Sequence, residues 1–176
     1  MNEKLGQLIT VSEPRSPISE AYRTLRTNLD FAGLDRKLQT LVITSAGVGE
    51  GKSTTLANLA VVTAQAGQKV ILVDADLRRP SLHGIFGLAN DTGLTTMMMD
   101  EVALASPPLQ DTGIEGESLV KSQGDDMSRA SSTPLTRRTL LINLAALALF
   151  GHGGPPCRTR FVMMSGSGLR TTSLSR

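Results

Sequence analysis

The sequence predicts an α/β fold in which a mostly parallel sheet is flanked by helices and left incomplete toward its C-terminal end. Two observations carry that prediction. A glycine-rich stretch, Ala46-Gly47-Val48-Gly49-Glu50-Gly51-Lys52-Ser53-Thr54, stands between a β-branched apolar run and a helical pattern. A second apolar run, Val70-Ile71-Leu72-Val73, follows that helix and ends in Asp74-Ala75-Asp76. Continuous apolar runs are what parallel strands covered on both faces look like.

From the N-terminus, residues 1–15 are polar with one proline and read as a flexible lead. Ser16-Pro17 is a helix start, with serine as N-cap and proline in the first turn. Ile18, Tyr22, Leu25 and Leu29 then share one helical face, expected to pack inward. Glu20, Arg23 and Arg26 fall on the other side, and Gly33 is the expected stop. That charged ridge reads either as a solvated face with a weak Glu–Arg pair or as a subunit contact in which arginine forks clamp carboxylates on a neighbour.

Leu41-Val42-Ile43-Thr44 is expected to be a buried strand, and Gly51 to Gln65 a helix that stops at Gly67. The turn between them has the spacing of a phosphate-binding P-loop, with alanine in place of its first glycine. Gly47, Gly49 and Gly51 let the backbone turn several N–H groups into one concavity. The helix N-terminus adds its own unpaired N–H groups, so a polyphosphate fits there. The expected nucleotide contacts are Gly47, Val48, Gly49, Glu50, Gly51, Lys52, Ser53 and Thr54. Lys52 would reach the β- and γ-phosphates, and the Ser53 hydroxyl would ligate Mg²⁺. The plainer alternative is a glycine-rich loop that caps a helix and binds nothing.

At the end of the second run, alternation puts Asp74 and Asp76 on one side of the chain. Two carboxylates there could hold a metal and accept a proton, or could simply cap the next turn. Beyond Pro80, residues 81–86 read as a short helix, with His83 structural. Asn90-Asp91-Thr92-Gly93 reads as a turn. Leu94 to Leu104 reads as a further helix, with Met97-Met98-Met99 as core filler.

Gly-Glu-Gly-Lys-Ser-Thr at 49–54, followed by Ile-Leu-Val-Asp-Ala-Asp-Leu-Arg-Arg-Pro at 71–80, resembles the bacterial tyrosine kinases of capsule and exopolysaccharide synthesis. Glu20, Arg23 and Arg26 match a third motif of that family, Glu-x-x-Arg-x-x-Arg, and the resemblance spans roughly residues 14 to 116. It implies a P-loop NTPase fold, ATP and Mg²⁺ as cofactors, and transfer of a phosphoryl group to tyrosine, including the protein's own. It implies Lys52 and Asp74 as catalytic residues, with Lys52 on the phosphates and Asp74 as the base for the tyrosine hydroxyl. Ser53 and Asp76 would hold Mg²⁺, and the resemblance leaves open which of Asp74 and Asp76 takes which role. It further implies a ring-forming contact through Glu20, Arg23 and Arg26, a tyrosine-bearing protein acceptor and a transmembrane activator. The rival within the same P-loop branch, the partition and cell-division ATPases, carries a lysine directly after the first P-loop position, where this chain has Gly47. A third reading is a nucleotide-binding adaptor without turnover.

Composition narrows these readings. There is no Trp, one Tyr and four Phe, so the core must be aliphatic. One cysteine, Cys157, excludes an intramolecular disulfide framework and fits a reducing compartment. No secretory leader is expected, and the longest apolar run, Leu140 to Phe150, is too short for a membrane span of about 20 residues. A cytoplasmic place is therefore expected, with the inner membrane face reached through a partner. The formal charge of +2 hides a break: residues 1–126 hold 11 Lys and Arg against all 16 acids, while residues 127–176 hold seven Arg and no acid. The basic balance thus belongs to the tail, and no nucleic-acid partner is expected.

The chain divides into an N-terminal lead and oligomerisation helix over 1–38, a P-loop core over 39–116 and a tail over 117–176. The tail lacks the apolar strand ending in Asp that the family carries as its Walker B motif. It also lacks the family's tyrosine cluster, since Tyr22 is the only Tyr. Read one base out of frame, Thr133 to Leu140 can spell Pro-Pro-Asn-Pro-Ala-Asp-Leu, a string similar to one those kinases carry before Walker B. The expectation is a tail translated out of frame that adds no strand to the sheet, and a kinase impaired by it.

Overall fold

The computed structural model describes residues 5–32, 38, 40–45, 47, 49–76, 79–99, 108–121 and 159–165. Five strands form one sheet in the order β1-β5-β2-β4-β3. These are β1 Thr40–Ile43, β2 Lys69–Ala75, β3 Gln110–Asp111, β4 Glu117–Val120 and β5 Thr159–Ser165. Every pairing is parallel except that of β3 with β4. The helices are α1 Ile9–Ser12, α2 Pro17–Ala32, α3 Lys52–Gln65, α4 Leu82–Phe86 and α5 Leu94–Met99.

The core is the contact of α3 with one face of the sheet. Leu56, Ala57, Ala60, Val61 and Ala64 of α3 meet Val70 and Leu72 of β2 and Leu119 of β4, closed by Leu82 and Phe86 of α4. α3 is buried around most of its circumference because the sheet covers one side and α1 and α2 pack on the other. Gly67 ends it at φ 76°, as its place in the sequence predicted. α2 also starts as predicted, with the Ser16 hydroxyl accepting the Ser19 N–H at 3.2 Å.

Three expectations are corrected. Residues 1–15 do not behave as a loose lead where they are described. Leu8 is 2% exposed within the core, and Thr10 donates from its N–H and its hydroxyl to Asn58 Oδ1 of α3, at 3.1 and 2.8 Å. Two hydrogen bonds to one buried amide plus one buried leucine outweigh the entropy that a short polar segment would keep.

The second correction concerns α2, whose inward face runs through Ser19, Tyr22, Arg23, Arg26 and Leu29. Ile18 and Leu25, expected inside, are 56% and 39% exposed. The helix has rotated toward its arginines because they find acceptors. Arg23 Nη1 donates to the Pro14 carbonyl at 2.7 Å and pairs with Glu20, and Arg26 Nη1 donates to the Val62 carbonyl at 2.9 Å.

The third correction is that the tail does supply strands. β4 runs beside β2 from Val70↔Glu117 to Val73↔Val120, and β5 lies between β1 and β2. β5 therefore occupies the place beside the P-loop strand where a third apolar strand was expected and not found. It ends in Met164-Ser165 rather than in an aspartate. The residues proposed to be read out of frame, 133–140, lie outside the described residues.

Beyond β2 the short helix α4 forms as expected, closed by Gly87 at φ 66°. The turn at 90–93 is pinned from β4. Lys121, 1% exposed, donates to the Ala89 carbonyl and, at 2.7 Å, to Asp91 Oδ1. α5 ends at Met99 among the described residues, and the side chains of Met97, Met98 and Met99 lie outside them. No described helix is long and apolar enough to cross a membrane.

Candidate functional site

The carboxyl ends of the central strands converge on one cavity, as parallel sheets arrange their ligand sites. β1 ends at Ile43, and the chain turns through Ser45 and the glycines into α3. Gly49 and Gly51 sit at φ 78° and 81°, a region that any Cβ would strain. Gly51 is the N-cap of α3 and has no side chain to cap it. The first-turn N–H groups are therefore left for an acceptor from outside the helix.

Lys52 lies over this loop. Its Nζ donates to Ser45 Oγ at 2.8 Å and to the Gly47 carbonyl at 3.0 Å, and Ser45 Oγ also donates to Gly47 at 3.0 Å. These acceptors are neutral. An anionic phosphate oxygen would add a charge–charge attraction that neither acceptor offers, so the lysine is placed to exchange them for an anion.

At the end of β2 the two aspartates part company. Asp74 is fully buried. Its Oδ1 accepts the Asp76 N–H at 3.2 Å, and its Oδ2 accepts the N–H groups of Ser81 and Leu82, each at 3.1 Å. Burial pushes the Asp74 carboxyl above its ordinary value. The Leu82, Ser81 and Asp76 amides pull it back, and the Asp76 charge adds to the rise. Asp76 is only half-buried, and its Oδ1 accepts the Arg79 N–H at 3.0 Å. Of the two sequence readings for these acids, capping the next turn describes what Asp74 does.

The cavity encloses about 590 Å³ and is lined by residues 49–54 with Asp76, Arg79, Ser81 and Ile85. The structure thus brings Gly49, Glu50, Gly51, Lys52, Ser53, Thr54 and Asp76 together and leaves Asp74 one layer behind. Gly47 holds the lysine at the edge. A Cβ on Gly47 would come within 2.8 Å of Glu50 Oε1, the end of a flexible side chain that can turn aside. Val48 lies outside the described residues. Glu20, Arg23 and Arg26 belong to α2 and do not line the cavity.

Four residues of the site escaped the sequence reading: Arg79 and Ile85, which line the cavity, and two serines. Ser45 holds the lysine, and Ser81 Oγ lies 2.6 Å from Ser53 Oγ. The signal for Ser45 was a hydroxyl immediately before the loop. For Ser81 it was a hydroxyl at the start of the helix that follows Asp-x-Asp. Among the described residues no group of three His, Cys, Asp or Glu side chains is gathered to cage a metal. A Mg²⁺ that arrives with a polyphosphate needs only one or two protein oxygens, and Ser53 and Asp76 offer them.

Comparison with known proteins agrees with this geometry. Residues 41–149 match the family model described as the CobQ/CobB/MinD/ParA nucleotide binding domain. The chain is 54% identical over 97 residues to the tyrosine-protein kinase YwqD of Bacillus subtilis (strain 168), a match covering 55% of this chain and 41% of that protein. Among solved structures it resembles the chimerical protein CapA2B2, with TM-score 0.72 and 32% identity over 97% of this chain and 70% of that one. It also resembles the kinase domain of the Escherichia coli tyrosine kinase ETK, with TM-score 0.68 and 28% identity over 90% of this chain and 58% of that one. The chain spans less than half the length of the curated relative. The fold is the α/β P-loop NTPase fold expected, and the rival ATPase branch is not the one its relatives favour. The chain belongs to the CobQ/CobB/MinD/ParA nucleotide-binding domain family, and bacterial tyrosine kinases are among the relatives it matches.

Proposed function

We infer that the chain binds Mg²⁺-ATP in this cavity and serves as the nucleotide-binding core of a bacterial protein-tyrosine kinase. The observation that carries the reading is that a glycine-rich turn with Lys52 and an acid-tipped strand with Asp76 line the same cavity. Lys52 leaves Ser45 and Gly47 to hold the phosphates. Gly47, Val48, Gly49, Glu50, Gly51 and Thr54 shape the loop around them. Ser53 and Asp76 are the oxygens that would hold Mg²⁺, whose charge would offset that of the transferred phosphoryl.

A tyrosine hydroxyl entering the cavity meets Asp76 first. Asp74 is fully buried, accepts three amides and does not line the cavity. In this reading Asp74 shapes the strand end, and Asp76 is the carboxylate that faces the chemistry.

The acceptor is a protein tyrosine, the pathway is capsule or exopolysaccharide synthesis, and the activator is a transmembrane protein that brings the chain to the inner membrane face. These parts of the reading rest on the family resemblance. Self-association along α2 belongs to it too. Glu20 is the exposed member of the ridge, and Ile18, Leu25 and Phe31 present apolar surface beside it.

A second reading has one observation in its favour. β5 places Ser165 opposite Ala75, where an acid would complete the site, and this suits an adaptor that binds nucleotide without turnover. Incubation with Mg²⁺-ATP and a tyrosine-containing peptide separates the two. Phosphotyrosine that disappears in Lys52→Ala supports the kinase. Nucleotide binding with no phosphotyrosine supports the adaptor.

A further inference from the structure

Ser81 Oγ donates to Ser53 Oγ at 2.6 Å, linking the P-loop to the segment after β2 across 28 residues of chain. Ser81 is held there from behind. Its N–H is bonded to Asp74 Oδ2, which also holds the Leu82 N–H, and Asp74 is buried completely. The Ser81 hydroxyl makes no capping bond to α4, so it is not spent on the helix it precedes. Both serines line the cavity.

A serine hydroxyl that ligates a metal gives an oxygen lone pair and keeps its proton. That proton needs an acceptor, and the acceptor's position decides where the lone pair points, as outer-shell partners orient metal ligands generally. Resting on the reading of this cavity as a Mg²⁺-nucleotide site, we propose that Ser81 is the positioning residue of the P-loop serine: when a metal takes a Ser53 lone pair, the bond between the two hydroxyls turns over, so that Ser81 Oγ accepts the Ser53 proton and holds the Ser53 lone pair toward the metal position. The Ser81 proton is then free to point into the cavity toward a phosphate oxygen. Asp74 belongs to the same device, since its carboxylate fixes the Ser81 backbone. The chain Asp74–Ser81–Ser53 thus carries the order of a buried strand end to the metal ligand.

The test uses the full chain and ADP as the probe, titrated calorimetrically with Mg²⁺ and with EDTA. The readout is the ratio of the two affinities, which a merely structural role would not move. Ser81→Thr and Ser81→Val have nearly the same shape and differ in the hydroxyl, and both keep the N–H that Asp74 holds. The expected result is a Mg²⁺ enhancement about tenfold smaller in Ser81→Val than in the wild type, and restored in Ser81→Thr. An enhancement in Ser81→Val within about twofold of wild type, with ADP still bound, overturns the role of Ser81 alone. An equal loss in both variants assigns Ser81 to packing and also overturns it. A wild-type chain that binds no ADP under either condition overturns the nucleotide-site reading, and this proposal with it.

Discussion

Arg26 Nη1 donates to the carbonyl of Val62 at 2.9 Å, joining α2 to the last turn of α3. The Val62 carbonyl is one of the final four of that helix, where intrahelical donors run out. The Ala66 N–H has turned instead to the Thr63 carbonyl at 3.2 Å. A guanidinium there fills the vacancy and sits at the negative end of the helix dipole.

Arg26→Ala should therefore destabilise the monomer by about 1–2 kcal/mol, because a partly buried carbonyl loses a charged donor. Chemical denaturation of wild type and variant checks this. Unchanged stability, with a loss only of self-association, would return Arg26 to the subunit contact that its motif implied.

Glu117 should make stability fall as pH rises. It is 2% exposed, both carboxylate oxygens lack a partner among the described residues, and burial pushes its pKa up to about 8 from an ordinary 4.5. Between those two values the folded state keeps a proton that the unfolded state releases, so stability drops by about 1.4 kcal/mol per pH unit at most and levels off above about pH 8. Glu117→Gln should flatten the slope. Thermal melts of both proteins across this window measure it, and parallel curves would contradict the burial of Glu117.

Removing residues 159–176 should abolish cooperative unfolding. β1 and β2 do not touch as strands. Each pairs with β5, through Thr40↔Phe161 to Ile43↔Met164 on one side and Lys69↔Thr159 to Ala75↔Ser165 on the other. Without β5 the P-loop strand loses its sheet, and its edge is left open to other chains. A truncated chain that melts with the same midpoint and sharpness would contradict the place of β5 and revive the expectation of a tail that adds no strand.

The order of strand, glycine turn and helix around Lys52 was legible because local chemistry decides it: continuous apolar runs, glycines where φ must be positive, and a stop at Gly67. The burial expected of β1 is corrected: its residues alternate between exposed and half-buried, and Val42 is 50% exposed, because one face of this strand has no cover among the described residues. The different fates of Asp74 and Asp76 were not legible. Alternation puts both on one side, but the amides of Ser81 and Leu82 fold back over Asp74, and that return is tertiary. The face of α2 was misjudged for a related reason. Ile18 and Leu25 are more apolar than Arg23 and Arg26, yet the arginines reach carbonyls at Pro14 and Val62 that no pattern in the helix records. β5 was missed because its text carries no aspartate and follows a charge break, while its place in the sheet depends on β1 and β2 both lacking a neighbour.

The central claim is that Lys52 and the cavity it borders hold a Mg²⁺-nucleotide, and calorimetric titration of ATP with Mg²⁺ into the wild type and Lys52→Ala tests it most directly. Saturable one-site binding is expected for the wild type, with an affinity at least about tenfold weaker in the variant, because a charge-assisted phosphate contact is lost. Equal affinity in the two proteins, or no binding to the wild type, would contradict it.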